Sequence, residues 1–250
     1  MKIFSVLKQI LLIVAVLALS ISCDKNEGYG GSSSIEGVLM MRYYNNDFTV
    51  LQDVQPAVDE DVFILFGDDK NVGDDIETSI GGNFRFNYLL PGKYKLYYMS
   101  DDTSKTRYSD IALYTDVEIG SGEKLFVDTL YTYKALDWDD GHAKIKGRVM
   151  LWNYKKSSAP PNLEVKDYTP AQELPVYIVY NHGDFYEDRI RTQGDGTFVF
   201  PNLLKGHYRI FVYSEDIYTG STADFIISRE LEITETNQVL VLDDFEIETY

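Results

Sequence analysis

The feature that most constrains this 250-residue chain is that it nearly repeats itself. Residues 76–100, IETSIGGNFRFNYLLPGKYKLYYMS, and residues 190–214, IRTQGDGTFVFPNLLKGHYRIFVYS, align without gaps at an offset of 114, with ten of 25 positions identical. Gly82 meets Gly196, Phe84 meets Phe198 and Phe86 meets Phe200. Leu89-Leu90 meets Leu203-Leu204, Gly92 meets Gly206 and Tyr94 meets Tyr208. The match extends outward, from 62–66 onto 176–180 and from Glu118-Ile119 onto Glu232-Ile233. A two-copy repeat of this length means two similar domains, because solenoids repeat at shorter periods. The seam falls at 135–142, where Asp137, Asp139, Asp140 and Gly141 cluster.

Each copy reads as all-β. Short alternating apolar runs lie between turn residues, at 35–44, 61–66, 83–87, 93–99, 111–119 and 125–132 of the first copy. Twenty tyrosines and thirteen phenylalanines favour strands over helices. About seven short strands per hundred residues imply a two-sheet antiparallel sandwich. Alternation sorts the strand faces. Tyr94, Leu96 and Tyr98 point one way, with Tyr208, Ile210 and Val212 as counterparts. The expected core contains Phe84, Phe86, Leu89, Tyr94 and Leu96, and likewise Phe198, Phe200, Leu203, Tyr208 and Ile210.

The pattern G-x-F-x-F-x-x-L-x-x-G-x-Y resembles carboxypeptidase regulatory-like, Cna-B-like domains of the prealbumin-like (transthyretin-like) sandwich class. Pro91-Gly92-Lys93-Tyr94 and Lys205-Gly206-His207-Tyr208 fill that family's strand-opening position. The resemblance implies two tandem antiparallel β-sandwiches, at 35–134 and 143–250, serving as spacer, adhesin or regulatory module. In some relatives a Lys–Asn isopeptide bond locks the sandwich. Lys146 stands near the right place, but Glu36 replaces it in the first copy and the last strands lack Asn. No such bond is expected.

The N-terminus supplies an address. Lys2 and Lys8 precede an apolar run at 10–21, then Ser22-Cys23. This is the layout of a secretory signal, with a small residue at the cut. A cysteine there resembles the lipobox of bacterial lipoproteins, although Ser20 stands where that family favours Leu. The resemblance implies a signal peptide at 1–22, cleavage between Ser22 and Cys23, and acylation of Cys23. The mature chain would hang from a membrane by this lipid, through a flexible glycine-rich tether at 23–34. The apolar run is shorter than the ~20 residues a bilayer crossing needs. Asp24 and Glu27 resemble the acidic export signal of surface lipoproteins, which implies a surface-exposed place on the outer membrane.

Charge excludes some partners. The chain carries −17, and −19 without Lys2 and Lys8. Nucleic acid binding relies on Lys and Arg neutralising phosphates, so it is excluded as a role. Catalysis finds little material. His142, His182 and His207 form no ligand pair, and no Gly-x-Ser-x-Gly elbow occurs. The oxygen-rich stretch 68–75 lacks the EF-hand spacing and reads as a solvated turn. No cofactor or metal is expected.

Two functions remain. One is a non-enzymatic structural or protein-interaction lipoprotein of the envelope. The other is a carbohydrate-binding surface lipoprotein using exposed aromatics, with Trp138, Trp152, Tyr154, Tyr168 and Tyr186 as candidates. For the first, the outward residues of the apolar strands matter. Tyr97 and Met99 in one copy, with Phe211 and Tyr213 in the other, occupy faces where water would select polar side chains. They are the candidate partner surface.

Overall fold

The computed structural model describes residues 27–105, 109–219 and 223–250. Ser22, Cys23 and the apolar run before them lie outside the described residues. The first copy holds β1 (Tyr29–Asn45), β2 (Leu51–Pro56), β3 (Asp61–Phe66), β4 (Asp74–Glu77), β5 (Asn83–Leu89), β6 (Gly92–Ser100), β7 (Ile111–Ile119), β8 (Lys124–Phe126) and β9 (Leu130–Leu136). The second holds β10 (Ala143–Tyr154), β11 (Val165–Pro170), β12 (Pro175–Tyr180), β13 (Asp188–Arg191), β14 (Thr197–Leu203), β15 (Gly206–Ser214), β16 (Phe225–Ile233), β17 (Val239–Val241) and β18 (Phe245–Thr249). Among the described residues there is no helix.

The repeat is structural as well as textual. One sheet of each copy runs β4-β3-β6-β7 or β13-β12-β15-β16. The other centres on the long first strand, β2-β1-β5 or β11-β10-β14, with β8 and β9, or β17 and β18, also pairing with it. The fold is thus a pair of all-β sandwiches. They are not purely antiparallel, because β8 pairs parallel with β1, and β17 and β18 pair parallel with β10.

By contacts, one unit comprises the chain to Met40, Pro56–Ser100 and Ile111–Thr132, and the other Met41–Gln55, Asp101–Asp110 and Tyr133–Tyr250. In the first, Ile35, Leu39, Val62, Ile64, Phe84, Phe86, Leu89, Tyr94, Leu96 and Ile119 are buried. In the second, Ile145, Val149, Val176, Ile178, Phe198, Phe200, Leu203, Tyr208, Ile210, Ile233 and Phe245 form the core, with Trp138 packed against it. All ten core residues expected from alternation are buried. Met41–Gln55 belongs to the second unit through Gln52. Its amide accepts from Lys205 N–H (2.8 Å) and donates to Lys205 C=O (2.9 Å).

The repeated motif is built around its tyrosine. Tyr94 Oη donates to Leu90 C=O at 2.7 Å, and Tyr208 Oη to Leu204 C=O at 2.9 Å. The buried phenol thus satisfies a loop carbonyl four residues upstream, where an unpaired polar group would cost ~1–3 kcal/mol. Gly206 holds φ +143°, and a Cβ there would lie 2.6 Å from the Tyr180 ring, so the loop demands glycine. A second device recurs without having been singled out from sequence. Thr78 Oγ1 donates to Ala57 C=O and Thr192 Oγ1 to Ala171 C=O, each at 2.6 Å and buried.

The expected flexible tether at 23–34 is corrected over its described part. β1 begins at Tyr29, and Leu90 N–H donates to Gly28 C=O at 2.8 Å. Gly28 N–H donates to the buried Tyr94 Oη at 3.1 Å, and Lys93 N–H to Glu27 Oε1 at 3.3 Å. Glycine composition reads as flexibility, but here glycines let the strand lie against the Leu89-Leu90 backbone.

Burial also sets the alkaline limit. In the second unit the Tyr180 and Tyr208 rings lie 5.0 Å apart. Burial pushes the Tyr180 phenol up to about 12, with Asp47's charge adding, and pushes Tyr208 up as well. An unfolded tyrosine ionises near ~10. The folded state therefore holds the proton more tightly. Its stability is intact below pH ~10 and is lost as pH rises through 12. Denaturant midpoints across this range should fall together with the appearance of tyrosinate absorbance, and Tyr180→Phe should flatten the decline. A midpoint that stays level while tyrosinate appears would refute it.

Candidate binding surfaces

The first surface is the outward face of the four-stranded sheet in the second unit. Register puts Tyr177 beside Phe211, and Phe211 beside Ser228. The next row pairs Tyr213 with Ile226. Tyr177 stacks on Phe211 with centroids 4.9 Å apart and planes 8° from parallel. Tyr213 meets both edge-on, at 5.5 Å from Tyr177 and 5.6 Å from Phe211. Tyr186, from the loop after β12, closes on Tyr177 at 5.0 Å. Such contacts bring preferred quadrupole geometry as well as buried area.

Exposure divides these rings. Tyr213 is 41% exposed and Tyr186 52%, but Phe211 only 7%. The expectation that Phe211 is itself a contact residue is therefore corrected. Tyr177 stacks over it and the Arg209 guanidinium lies 5.9 Å from its centroid, so it is the floor under an exposed tyrosine rim. Beside that rim lies a cleft of about 400 Å³, lined in part by Leu174, Tyr177, Tyr213, Glu215 and Glu248.

The first unit carries a smaller version. Phe63 stacks on Tyr97 at 4.6 Å and 10°, and Tyr97 meets Tyr114 at 5.5 Å. Lys95 Nζ sits 5.9 Å from the Tyr114 ring and pairs with Asp116 at 3.6 Å. Tyr97 is half-buried in this stack, while Met99 and Tyr114 are exposed.

The second surface is the outward face of β11-β10-β18. Tyr168 lies opposite Trp152, which lies opposite Glu248. The Trp152 and Tyr168 rings are 4.2 Å apart. Both reach one carboxylate. Trp152 Nε1–H donates to Glu246 Oε2 and Tyr168 O–H to Glu246 Oε1, each at 3.2 Å. Arg148 forks onto Asp244, with Nε at 3.0 Å. Glu248 Oε1 accepts from Tyr218 at 2.7 Å and Tyr154 at 3.4 Å, which holds the Tyr218 phenol protonated and raises its pKa. Glu246 was missed from sequence. It stands 78 residues from Tyr168 and only the parallel pairing of β18 with β10 brings it there.

Other expected residues lie apart. Lys146 is exposed between Val199 and Val241, and Glu36 pairs with Arg85 at 2.9 Å. In the acidic loop, Asp74 accepts a hydrogen bond from Tyr29, and no group of three potential metal ligands exists among the described residues. His182 and His207 stack at 4.1 Å, with Glu230 3.6 Å from His207 Nδ1. Neither histidine had been paired from sequence, since they sit 25 residues apart on either side of β13 and β14.

No protein-family model matches the chain, and no curated protein does. Among solved structures, the TIE protein of Bacillus anthracis is 15% identical over 87% of this chain, with TM-score 0.29. The chain spans 33% of that protein's length. The minor pilin GBS52 of Streptococcus agalactiae is 11% identical, covering 88% of this chain and 97% of its own, with TM-score 0.29. A DUF3823 family protein from Bacteroides uniformis is 12% identical, covering 82% and 99%, with TM-score 0.20. These likenesses are slight, and function is argued from the chain's own residues.

Proposed function

We propose that this protein is a non-enzymatic lipoprotein of the cell envelope. It is anchored by acylated Cys23 and displayed at the outer membrane surface. Its tandem sandwiches serve as a structural or protein-interaction module. The observation that carries the reading is the tyrosine rim of the second unit, Tyr177, Tyr186 and Tyr213 around a buried Phe211, on a sheet face that water would otherwise keep polar. Tyrosine suits a partner surface because its ring is apolar, rigid and polar-tipped.

The anchor complements this role. With Glu27 and Gly28 docked on the first unit, only residues 23–26 join it to the lipid. At ~3.3–3.6 Å per residue, four residues reach about 14 Å at most. The first unit therefore stays close to the bilayer.

Two variants test the reading. Cys23→Ala should move the protein from the membrane to the soluble fraction. Tyr186→Ser with Tyr213→Ser should abolish cross-linking to the envelope partner on intact cells while changing stability by no more than ~0.5 kcal/mol, as surface substitutions do. Membrane retention of Cys23→Ala would overturn the anchor. Undiminished cross-linking would overturn the surface.

A further inference from the structure

We infer that the Tyr168–Trp152 stack, tied by Glu246, is a binding site for a neutral sugar ring of a glycan. This site is separate from the tyrosine rim and does not depend on the anchor.

The first argument is preorganisation. Tyr168 is 40% exposed on β11, an edge strand of its sheet, where a lone tyrosine would sample several rotamers. Here its hydroxyl is fixed to Glu246 and its ring lies on Trp152, whose own N–H is fixed to the same carboxylate. Two aromatic side chains are thus immobilised before any ligand arrives. Ordering cost is then already met within the fold, which is what raises affinity at a binding site. Hydrogen bonds from both rings to one carboxylate also enrich their π-faces. Such faces attract the weakly positive C–H edges of a pyranose by the quadrupole that favours edge-to-face aromatic pairs.

The second argument is the polar set around the rings. A sugar hydroxyl both donates and accepts, so a sugar site needs groups of both kinds in one plane. Glu246 and Asp244 accept, while the Arg148 guanidinium donates. Each Glu246 oxygen takes one bond from the rings and keeps acceptor capacity. Tyr154 contributes a further hydroxyl along the same face of β10. A cationic ligand fits less well. Arg148 lies close enough to act electrostatically on Tyr168, and its positive charge would oppose a second cation over that ring. In a chain of net charge −17, an arginine forked onto Asp244 beside an aromatic stack makes this patch locally more balanced, as a neutral polyol requires.

The test uses the full chain in a detergent without sugar headgroups. The probes are cellohexaose, maltohexaose, xylohexaose, mannohexaose and chitohexaose, with hexalysine as the cationic comparison, read by calorimetry and tryptophan fluorescence. At least one neutral oligosaccharide should bind saturably. Tyr168→Ala and Trp152→Ala should each weaken it about tenfold, as loss of a central aromatic anchor does. Tyr168→Phe, which keeps the ring but frees it from Glu246, should weaken it less. Tyr213→Ser should leave it unchanged. Circular dichroism of each variant checks folding, and Tyr168→Phe serves if an alanine variant unfolds. Absence of saturable binding by every oligosaccharide overturns the proposal. So does binding that survives both Tyr168→Ala and Trp152→Ala. Binding of hexalysine at these rings, lost in Tyr168→Ala, would mark a basic protein partner and overturn it as well.

Discussion

Replacing Phe198 with alanine should cost the second unit ~3–5 kcal/mol, the range for emptying a buried phenylalanine site. Phe198 is 1% exposed and lies 6.0 Å from Phe200 and 6.1 Å from Phe245, centroid to centroid. It also covers Gly147 on the neighbouring strand. The two are register partners, and a Cβ on Gly147 would fall 2.4 Å from Phe198 Cζ. The ring thus occupies the space a side chain at 147 would take, and its loss exposes backbone as well as emptying volume. An aromatic laid over a cross-strand glycine is a known way to recover the stability a strand glycine forfeits. The first unit repeats the device. Gly37 pairs with Phe84, whose Cζ lies 2.7 Å from where a Gly37 Cβ would sit. Since domains are stable by only ~5–15 kcal/mol, either truncation removes a large share. Denaturant midpoints should drop for Phe198→Ala and Phe84→Ala alike. Hydrogen exchange should accelerate in β10 and β14 for the former, and in β1 and β5 for the latter. A loss below ~1 kcal/mol would show that neither ring seals its glycine.

That pairing also shows how much was legible in the sequence. Phe84 and Phe86, two apart, share a face, and so do Tyr94, Leu96 and Tyr98, so core membership followed from alternation alone. The repeat followed from the same residues. What could not be read was pairing between distant segments. Residues 125–132 look like one strand, yet the chain breaks there. β8 pairs parallel with the start of β1 over only three residues, and β9 follows separately. Residues 239–247 divide in the same way into β17 and β18. Three residues of alternation carry no periodic signal, and their partner lies about ninety residues away in each copy. The candidate surfaces suffered more. Alternation correctly placed Phe211 on the outward face, but exposure depends on neighbours, and Tyr177 and Arg209 cover it. Glu246 and Glu248 alternate with Phe245 and Ile247, a pattern that reads as an ordinary solvated edge. Only parallel pairing with β10 sets these carboxylates beside Trp152 and Tyr154.

Gly141→Ala should be the more damaging substitution, although composition assigns Gly141 to a linker. A Cβ there would lie 2.0 Å from Leu203 O, 2.2 Å from Leu203 C and 2.5 Å from Leu204 N. These are backbone atoms, so no side-chain rotation relieves the overlap. The approach is tight because the chain enters the sandwich at this point. Gly141 N–H donates to Asn202 C=O at 2.8 Å and Leu204 N–H to Trp138 C=O at 3.2 Å, just before Ala143 pairs with Leu203. Moving the strand away would break these bonds and lift Trp138 from the core it packs against. The cost should exceed the ~1–3 kcal/mol of ordinary overpacking and reach the exceptional class beyond ~4 kcal/mol. Gly31 holds the same position in the first unit, where a Cβ would lie 1.9 Å from Leu89 O. Gly31→Ala should therefore be equally severe for that unit, though its sequence context is the supposed tether. Gly194 supplies the control. Nothing lies within 4 Å of its Cβ position, so Gly194→Ala should be neutral or raise stability by up to ~1 kcal/mol by restricting the unfolded chain. Circular dichroism melts of the three variants decide the matter. If Gly31→Ala and Gly141→Ala melt with Gly194→Ala, the two entry strands do not lie against their neighbours, and residues 27–34 and 137–141 revert to flexible connections.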